Sequence, residues 1–203
     1  MINESAFIKK FTLIITLYMF SVQVYPQSKP REMIKNTMID YRTNGVEPQL
    51  MDNSCGIASL AYVFNMYFNK NTSEKNLFFF IGLKPEYSLL DLFITSKKFG
   101  ISSVGLKITM SDLENVNSPT ILKTKTNGGH FIVYTGYKNG WFQVIDPARG
   151  KLNYFKAELS KLFIDPTKGY GTALIFLSEN KNNFIEKKLY KNNTNRLWLE
   201  RSY

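Results

Sequence analysis

The sequence has 203 residues, with 26 Lys and Arg against 16 Asp and Glu, a net charge of +10, one Cys and one His. This length suits one domain with a short appendage, and 44% apolar with 15% aromatic residues excludes disorder over most of the chain. One Cys excludes a disulfide framework, and one Cys with one His cannot complete a Cys/His zinc site, so no metal and no other cofactor is expected. The positive charges are spread out, which indicates a solvated basic surface and no nucleic-acid partner.

The N-terminal segment has the pattern of an export signal. Lys9 and Lys10 precede an uncharged, mostly apolar run over residues 11–24, which is shorter than the ~20 residues that a membrane-spanning helix needs. We therefore expect residues 1–25 to be a signal peptide or an N-terminal anchor, with membrane association through this segment in the second case. Either form predicts an exported protein, periplasmic or associated with the cell envelope.

The remaining chain divides into one domain with two appendages. Residues 26–48 are polar and are interpreted as an N-terminal arm, in which residues 31–41 could form a short helix. Residues 49–177 carry the apolar patterns of a folded domain. Residues 178–203 are rich in Asn and Lys and are interpreted as a polar, basic, loosely attached tail.

The domain is predicted to begin with a helix. Apolar residues recur at steps of three and four from Ile57 to Phe68, which indicates one buried helix face. Asp52, Asn53 and Ser54 are expected to cap the start of this helix with their side chains. Cys55 then lies in the first turn.

The later segments predict fewer helices and more strands. Helices are predicted over residues 88–99, 110–116 and 156–163, and strands over residues 101–108, 119–125, 130–137, 141–146, 152–155 and 172–177. Because helices come first and strands later, we expect an α+β fold with an antiparallel sheet.

Cys55 stands where a thiol can become a nucleophile. Unpaired N–H groups and the helix dipole at a helix start stabilise a thiolate, and Gly56 is expected to leave room for a substrate backbone. A neighbouring imidazole could take the thiol proton, and His130 is the one imidazole in the sequence. An isolated Cys is more often a small buried apolar residue, but an idle thiol in an exported protein is prone to oxidation, which favours a function.

The hairpin that contains His130 gives a geometric test. If residues 138–140 form a three-residue loop with Gly140 in the left-handed region, Asp146 lies opposite Ile132. His130 is then on the same face of the sheet as Asp146, ~7–8 Å away along the diagonal. A two-residue loop would shift the register by one and place the two side chains on opposite faces. We therefore expect a three-residue turn and a His130–Asp146 pair.

Three segments carry a family resemblance. Residues 49–61 read QLMDNSCGIASLA, residues 128–133 read GGHFIV and residues 144–150 read VIDPARG. In this order and spacing they resemble the C39 peptidase family, papain-like cysteine peptidases known for removing double-glycine leader peptides in bacteriocin exporters. The resemblance covers roughly residues 49–177 and implies a stand-alone exported member. It implies a papain-like fold in which an N-terminal helical part with the Cys packs on an antiparallel sheet with the His and Asp.

The resemblance also implies catalytic roles. Cys55 would be the nucleophile, His130 the general base and then acid, and Asp146 the group that orients the imidazole. Gln49, six positions before the Cys, would donate its side-chain amide to the oxyanion, together with the backbone N–H of Cys55.

Two glycines next to these groups are expected to contact substrate, and two neighbouring positions depart from the residues that are frequent in the family. Gly56 and Gly129 are candidate substrate-binding residues. Ser54 stands where an acidic residue is frequent in the transporter-linked members, and Ile57 stands where Pro or Ala is frequent. These departures leave the double-glycine preference open.

The expected function is that of an exported cysteine peptidase acting on a peptide or protein substrate. It would cleave through a thioester on Cys55, after a Gly-Gly or small-residue leader. One alternative is a papain-like acyl or peptidyl transferase, in which an amine intercepts the same thioester. Another is a non-catalytic peptide-binding or assembly module, which would be expected to have lost Cys55, His130 or Asp146.

Overall fold

Six strands form one antiparallel sheet in the computed structural model, which describes residues 42–43 and 45–177. The strands are β1 (Ser103–Ile108), β2 (Thr120–Lys123), β3 (Phe131–Lys138), β4 (Trp141–Asp146), β5 (Gly150–Tyr154) and β6 (Gly171–Phe176). Their order across the sheet is β1-β6-β2-β3-β4-β5, and every neighbouring pair is antiparallel. The predicted α+β fold with an antiparallel sheet is confirmed.

Five helices accompany the sheet within residues 45–177. They are α1 (Cys55–Phe68), α2 (Glu74–Ile81), α3 (Leu89–Lys98), α4 (Met110–Glu114) and α5 (Lys156–Phe163), and a short 3₁₀ turn covers Thr126–Gly128. Four of the five helices were predicted, with bounds within about two residues. Helix α2 was not predicted.

The two faces of the sheet bury separate apolar clusters because side chains alternate along each strand. On one face, Phe131 and Val133 of β3 pack with the apolar residues of α1, α2 and α3. On the other face, Ile132 and Tyr134 pack with apolar residues of α4 and α5. The sheet therefore lies between two helical layers, and α1 is fixed against the strand that follows His130.

The start of α1 differs from the prediction in its capping. Ser54 is the N-cap residue, but its hydroxyl accepts from the Met51 N–H at 3.0 Å and donates to the Met51 carbonyl at 2.7 Å. The Asn53 side-chain amide donates to the carbonyls of Lys84 and Pro85. The predicted side-chain cap from Ser54 is therefore wrong, because the polar side chains before α1 stabilise the preceding turn and its contact with a neighbouring loop.

The β3–β4 hairpin has the predicted residue pairing, but its turn differs from the predicted one. The loop has two residues, Asn139 at φ 53° and Gly140 at φ 84°, so the predicted three-residue turn is wrong. Both φ values are positive, as a tight hairpin turn with the twist of the strands requires. A β-bulge at Thr135 then shifts the register by one residue. Beyond the bulge, continuation of the Val133–Ile145 pairing places Asp146 opposite Ile132, as expected.

The predicted signal segment, most of the N-terminal arm and the basic tail lie outside the described residues. They remain predictions from the sequence. Within residues 42–43 and 45–177, no helix combines the length and apolar character that crossing a bilayer requires.

Candidate active site

Cys55 is the first residue of α1 and is 7% exposed. Its Sγ accepts a hydrogen bond from the Phe131 N–H at 3.5 Å, and the His130 ring and the Gly56 N–H also stabilise the thiolate form. Burial raises the pKa of the Cys55 thiol, but these hydrogen bonds and the charge of His130 lower it more, so the net pKa lies below its usual range. The site therefore favours a thiolate.

The contact between α1 and β3 depends on a small residue. A Cβ at Gly56 would lie 3.0 Å from the Phe131 ring and 3.5 Å from a Leu92 methyl group. One turn further on, the Ser59 hydroxyl donates to the Phe131 carbonyl at 3.4 Å. Gly56 was expected to make room for substrate. The structure shows Gly56 buried against Phe131, whose N–H donates to the Cys55 sulfur, and the substrate-binding role of Gly56 stays a prediction.

His130 precedes β3 and is fixed at both its backbone and its ring. Its carbonyl accepts from the Thr124 N–H at 2.8 Å and from the Thr124 hydroxyl at 2.9 Å. Its Nε2 lies 2.9 Å from Asp146 Oδ1, which leaves Nδ1 for the Cys55 thiol. The hydrogen bonds with Asp146 and Cys55 raise the pKa of His130 to about 9, although burial opposes them. The imidazolium therefore persists at neutral pH.

Asp146 ends β4 and is 1% exposed. Besides His130, its carboxylate accepts from the Ala148 N–H at 2.9 Å and from Arg149 Nε at 2.7 Å. The Arg149 guanidinium also donates to the Tyr154 hydroxyl at 2.8 Å. Burial raises the pKa of Asp146, but the hydrogen bonds from His130, Arg149 and Ala148 lower it to about 2. Asp146 is thus a fixed anion beside the imidazole.

Gln49 lies near this group, but its side-chain amide donates to backbone carbonyls outside the group. Its Nε2 donates to the carbonyls of Met51 at 3.0 Å and Asp52 at 3.3 Å. Its Oε1 is buried and has no hydrogen-bond partner among the described residues. The backbone N–H of Gln49 donates to the Pro147 carbonyl at 3.2 Å, which ties this segment to the turn after Asp146. The side-chain amide is therefore near the site but already engaged.

One cavity of about 920 Å³ contains the predicted catalytic set. Cys55, His130, Asp146 and Gln49 all line it, and so does Gly129. The groups that hold this set in place were not predicted from the sequence. Those groups are the Phe131 N–H, Thr124, Arg149 and Tyr154. In the part of the chain that the structure describes, no group of three or more His, Cys, Asp or Glu residues is placed to hold a metal ion.

A family model and a curated relative match the same region. The model described as the Peptidase C39 family matches residues 44–167, more than half of the chain. The SPbeta prophage-derived sublancin-168-processing and transport ATP-binding protein SunT of Bacillus subtilis (strain 168) is 30% identical over 115 residues. That match covers 54% of this chain and 16% of the relative, so the chain corresponds to a small part of that protein.

Solved structures share the fold. A double glycine motif protease from an AMS/PCAT transporter, crystallised in complex with the leader peptide, has a TM-score of 0.57 and 26% identity. That similarity covers 64% of this chain and 89% of the protease. The peptidase domain of Streptococcus ComA has a TM-score of 0.57 and 20% identity, with 66% of this chain and 97% of that domain covered. The family model, the papain-like α+β fold and the Cys55 helix agree: the chain belongs to the peptidase C39 family and is a cysteine-type peptidase.

Proposed function

We propose that Cys55, His130 and Asp146 form a catalytic triad that cleaves a peptide or protein substrate after a Gly-Gly or small-residue leader. The observation that carries this proposal is that Cys55, His130 and Asp146 lie together at the wall of an open cavity, with His130 Nε2 2.9 Å from Asp146 Oδ1 and the His130 ring beside the Cys55 thiol. A nucleophile, a base and a group that orients the base are the three parts that covalent acyl transfer needs.

The first half of the reaction is acylation. The Cys55 thiolate attacks the carbonyl carbon of the scissile bond, and the carbonyl oxygen becomes an oxyanion. His130, held as an imidazolium by Asp146, gives its proton to the leaving amine nitrogen as the C–N bond breaks. The leader side of the substrate then remains on Cys55 as a thioester.

The second half is deacylation. His130 is now neutral and takes a proton from water, and the resulting hydroxide attacks the thioester carbon. The C–S bond breaks, the leader leaves as a carboxylic acid that gives its proton to solvent, and the thiolate–imidazolium pair is restored.

The oxyanion needs hydrogen-bond donors in both halves. We assign this role to the backbone N–H of Cys55 and to the Gln49 side chain. Because Gln49 Nε2 donates to the carbonyls of Met51 and Asp52, it must release one of them when substrate binds. The orphaned Oε1 supports such a movement, since the present position of the amide leaves a buried acceptor unsatisfied.

The similar proteins support the proposed substrate class. The protease at 26% identity is described as acting on a double glycine motif and was crystallised with a leader peptide. Gly129 lines the cavity beside His130, and its φ of 124° favours glycine, so its backbone borders the space in which a substrate would lie. We assign Gly129 to substrate binding on this ground.

The test is cleavage of a synthetic leader peptide with an internal Gly-Gly, followed by mass spectrometry. We expect hydrolysis after the second Gly by the wild-type chain and none by Cys55→Ala. A peptide with Gly-Gly replaced by Val-Val is the matched control and should stay intact. An added amine acceptor should leave the leader product as the free acid. Equal cleavage by Cys55→Ala would overturn the assigned nucleophile.

We also propose export through residues 1–25. The support is the apolar run over residues 11–24 after Lys9 and Lys10. Cell fractionation with N-terminal sequencing tests this proposal. Recovery in the envelope or periplasm is expected, whereas a chain found only in the cytoplasm with an intact N-terminus would contradict it.

A further inference from the structure

The cavity that holds Cys55 and His130 has charged walls of opposite sign. On the α1 side it is lined by the exposed carboxylates of Asp52 and Glu86. On the β3 side it is lined by Lys123 and by Arg149. The charge of Arg149 is offset by Asp146, so Lys123 is the uncompensated cation on that side.

The acidic wall is built on two loops that are tied together. The Asn53 side chain donates to the carbonyls of Lys84 at 2.9 Å and Pro85 at 3.0 Å, which joins the turn before α1 to the loop before α3. Lys84, the cation nearest in sequence to Glu86, forms its ion pair with Asp91. Among the ion pairs of the described residues, none includes Asp52 or Glu86. Both carboxylates therefore keep their charge available to a bound molecule.

Lys123 is directed along the opposite wall by its neighbours. A Cβ at Gly129 would lie 2.6 Å from Lys123 Cε, so the Lys123 stem occupies the space that the glycine leaves open. Its Nζ lies 5.9 Å from the centre of the Phe131 ring, and no carboxylate of the described residues pairs with it. This ammonium group therefore belongs to the His130 side of the cavity.

The chemistry fixes which part of a substrate meets each wall. His130 delivers a proton to the leaving amine, so the residues after the cleaved bond lie on the His130 side. The acyl group stays on Cys55, so the residues before the bond lie on the α1 side. We infer that this peptidase selects substrates with Lys or Arg upstream of the cleaved bond and Asp or Glu downstream of it. The inference rests on the proposed peptidase function and adds a charge class to its substrate.

The test uses two peptides with the same small residues at the cleaved bond. The forward peptide has two Lys upstream and two Glu downstream, and the reverse peptide has these positions exchanged. We expect kcat/KM for the forward peptide to be higher by about tenfold at low salt, because each exposed ion pair contributes a few-fold at most. The difference should lie mainly in KM and should shrink in ~0.5 M salt, since the charges are screened.

Matched variants test whether Glu86 causes the preference for the forward peptide. Glu86→Gln should reduce the forward-to-reverse ratio several-fold, and Glu86→Lys should bring it to one or below. Glu47→Gln removes the same charge from an exposed position that does not line this cavity and should leave the ratio unchanged. Equal kcat/KM for the two peptides, or a ratio that Glu86→Lys does not change, would overturn the inference.

Binding measurements distinguish a failure of this inference from a failure of the peptidase proposal. Dissociation constants of both peptides are measured with full-length Cys55→Ala, in which no cleavage is expected. Tighter binding of the forward peptide without cleavage by the wild-type chain would contradict the peptidase proposal and support the charge preference. Cleavage of both peptides with equal dissociation constants would support the peptidase proposal and contradict the charge preference. Absence of binding for both peptides would overturn the preference.

Discussion

The two walls of the active-site cavity differ in how firmly their functional groups are held. On the sheet wall, His130 and Asp146 form a series of short hydrogen bonds that Arg149 extends. On the helix wall, Gln49 donates its amide to two nearby carbonyls and leaves its own oxygen unsatisfied.

This difference indicates which catalytic functions exist before substrate arrives. In the proposed mechanism, the groups that move the proton are already in place, because Asp146 holds the imidazole and the imidazole stabilises the thiolate. In the proposed mechanism, the Gln49 amide has to exchange hydrogen-bond partners before it can donate to the oxyanion. We therefore expect changes on the sheet wall to alter the pH dependence of the reaction, and changes at Gln49 to alter the rate without moving that dependence.

The largest effect is expected from Asp146→Asn. The neutral amide cannot hold the imidazolium, so we expect kcat/KM to fall about 10²-fold or more. The pKa of His130, raised to about 9 by Asp146 first of all, should drop. The alkaline limb of the pH–rate profile, expected near pH 9 in the wild-type chain, should therefore move to lower pH. Asp165→Asn, in an exposed loop, is the matched control. An unmoved alkaline limb would contradict the assigned pair.

Replacement of Gln49 by Ala tests the other wall. Loss of one oxyanion donor should lower kcat about 10²-fold with little change in KM. The pH–rate profile should keep its shape, because the thiolate–imidazolium pair is untouched. Gln143→Ala, an exposed glutamine on β4, should behave as the wild type. Wild-type kcat in Gln49→Ala would show that its amide stays with the carbonyls of Met51 and Asp52 throughout the reaction.

A smaller effect is expected from Arg149→Met. Arg149 is among the groups that lower the pKa of Asp146 to about 2, so its removal should raise that pKa. The charged carboxylate stabilises the fold above its unfolded pKa of ~4, and this contribution is lost as the pH falls through the folded pKa. The acid-induced drop in Tm between pH 5 and 2 should therefore begin at higher pH in Arg149→Met than in the wild type or Arg149→Lys. Identical curves for Met and wild type would contradict the role of Arg149 in fixing Asp146.

The smallest effect is expected at the packing contact between α1 and β3. Gly56→Ala places a methyl group 3.0 Å from the Phe131 ring. Crowding costs 1–3 kcal/mol and better helix propensity returns up to about 1 kcal/mol, so we expect a net loss of about 1 kcal/mol in denaturant unfolding. Adding Phe131→Leu should cost less in Gly56→Ala than in the wild-type background, since it provides space. Strict additivity of the two changes would contradict the packing role of Gly56.

The sequence was most informative where local patterns decide the structure. The step pattern from Ile57 to Phe68 predicted α1 and the placement of Cys55 in its first turn. Helix α2 was missed because Leu77–Ile81 is an unbroken apolar run without a readable period, and Phe79 in it is 90% exposed. The remaining sequence feature that could have predicted α2 was its N-cap residue Ser73, whose hydroxyl accepts a hydrogen bond from the Asn76 N–H.

The His130–Asp146 pair was predicted with the right partners and the wrong turn. A two-residue Asn139-Gly140 turn is the simpler interpretation of that dipeptide, and alone it would separate the two side chains. The bulge at Thr135 restores the register, and nothing in the local sequence marks it. The hydrogen-bonding state of Gln49 was equally hidden, because it depends on carbonyls that the fold brings near.

The central claim is that His130 holds Cys55 as a thiolate before substrate binds, and alkylation by iodoacetamide tests it most directly. The rate of Cys55 modification is measured by mass spectrometry from pH 5 to 10, with free cysteine as the reference. We predict faster modification of Cys55 than of free cysteine at pH 6, and loss of this advantage in Asp146→Asn. A rate that rises only as an ordinary thiol ionises, with a midpoint near pH 8.5, would contradict the claim.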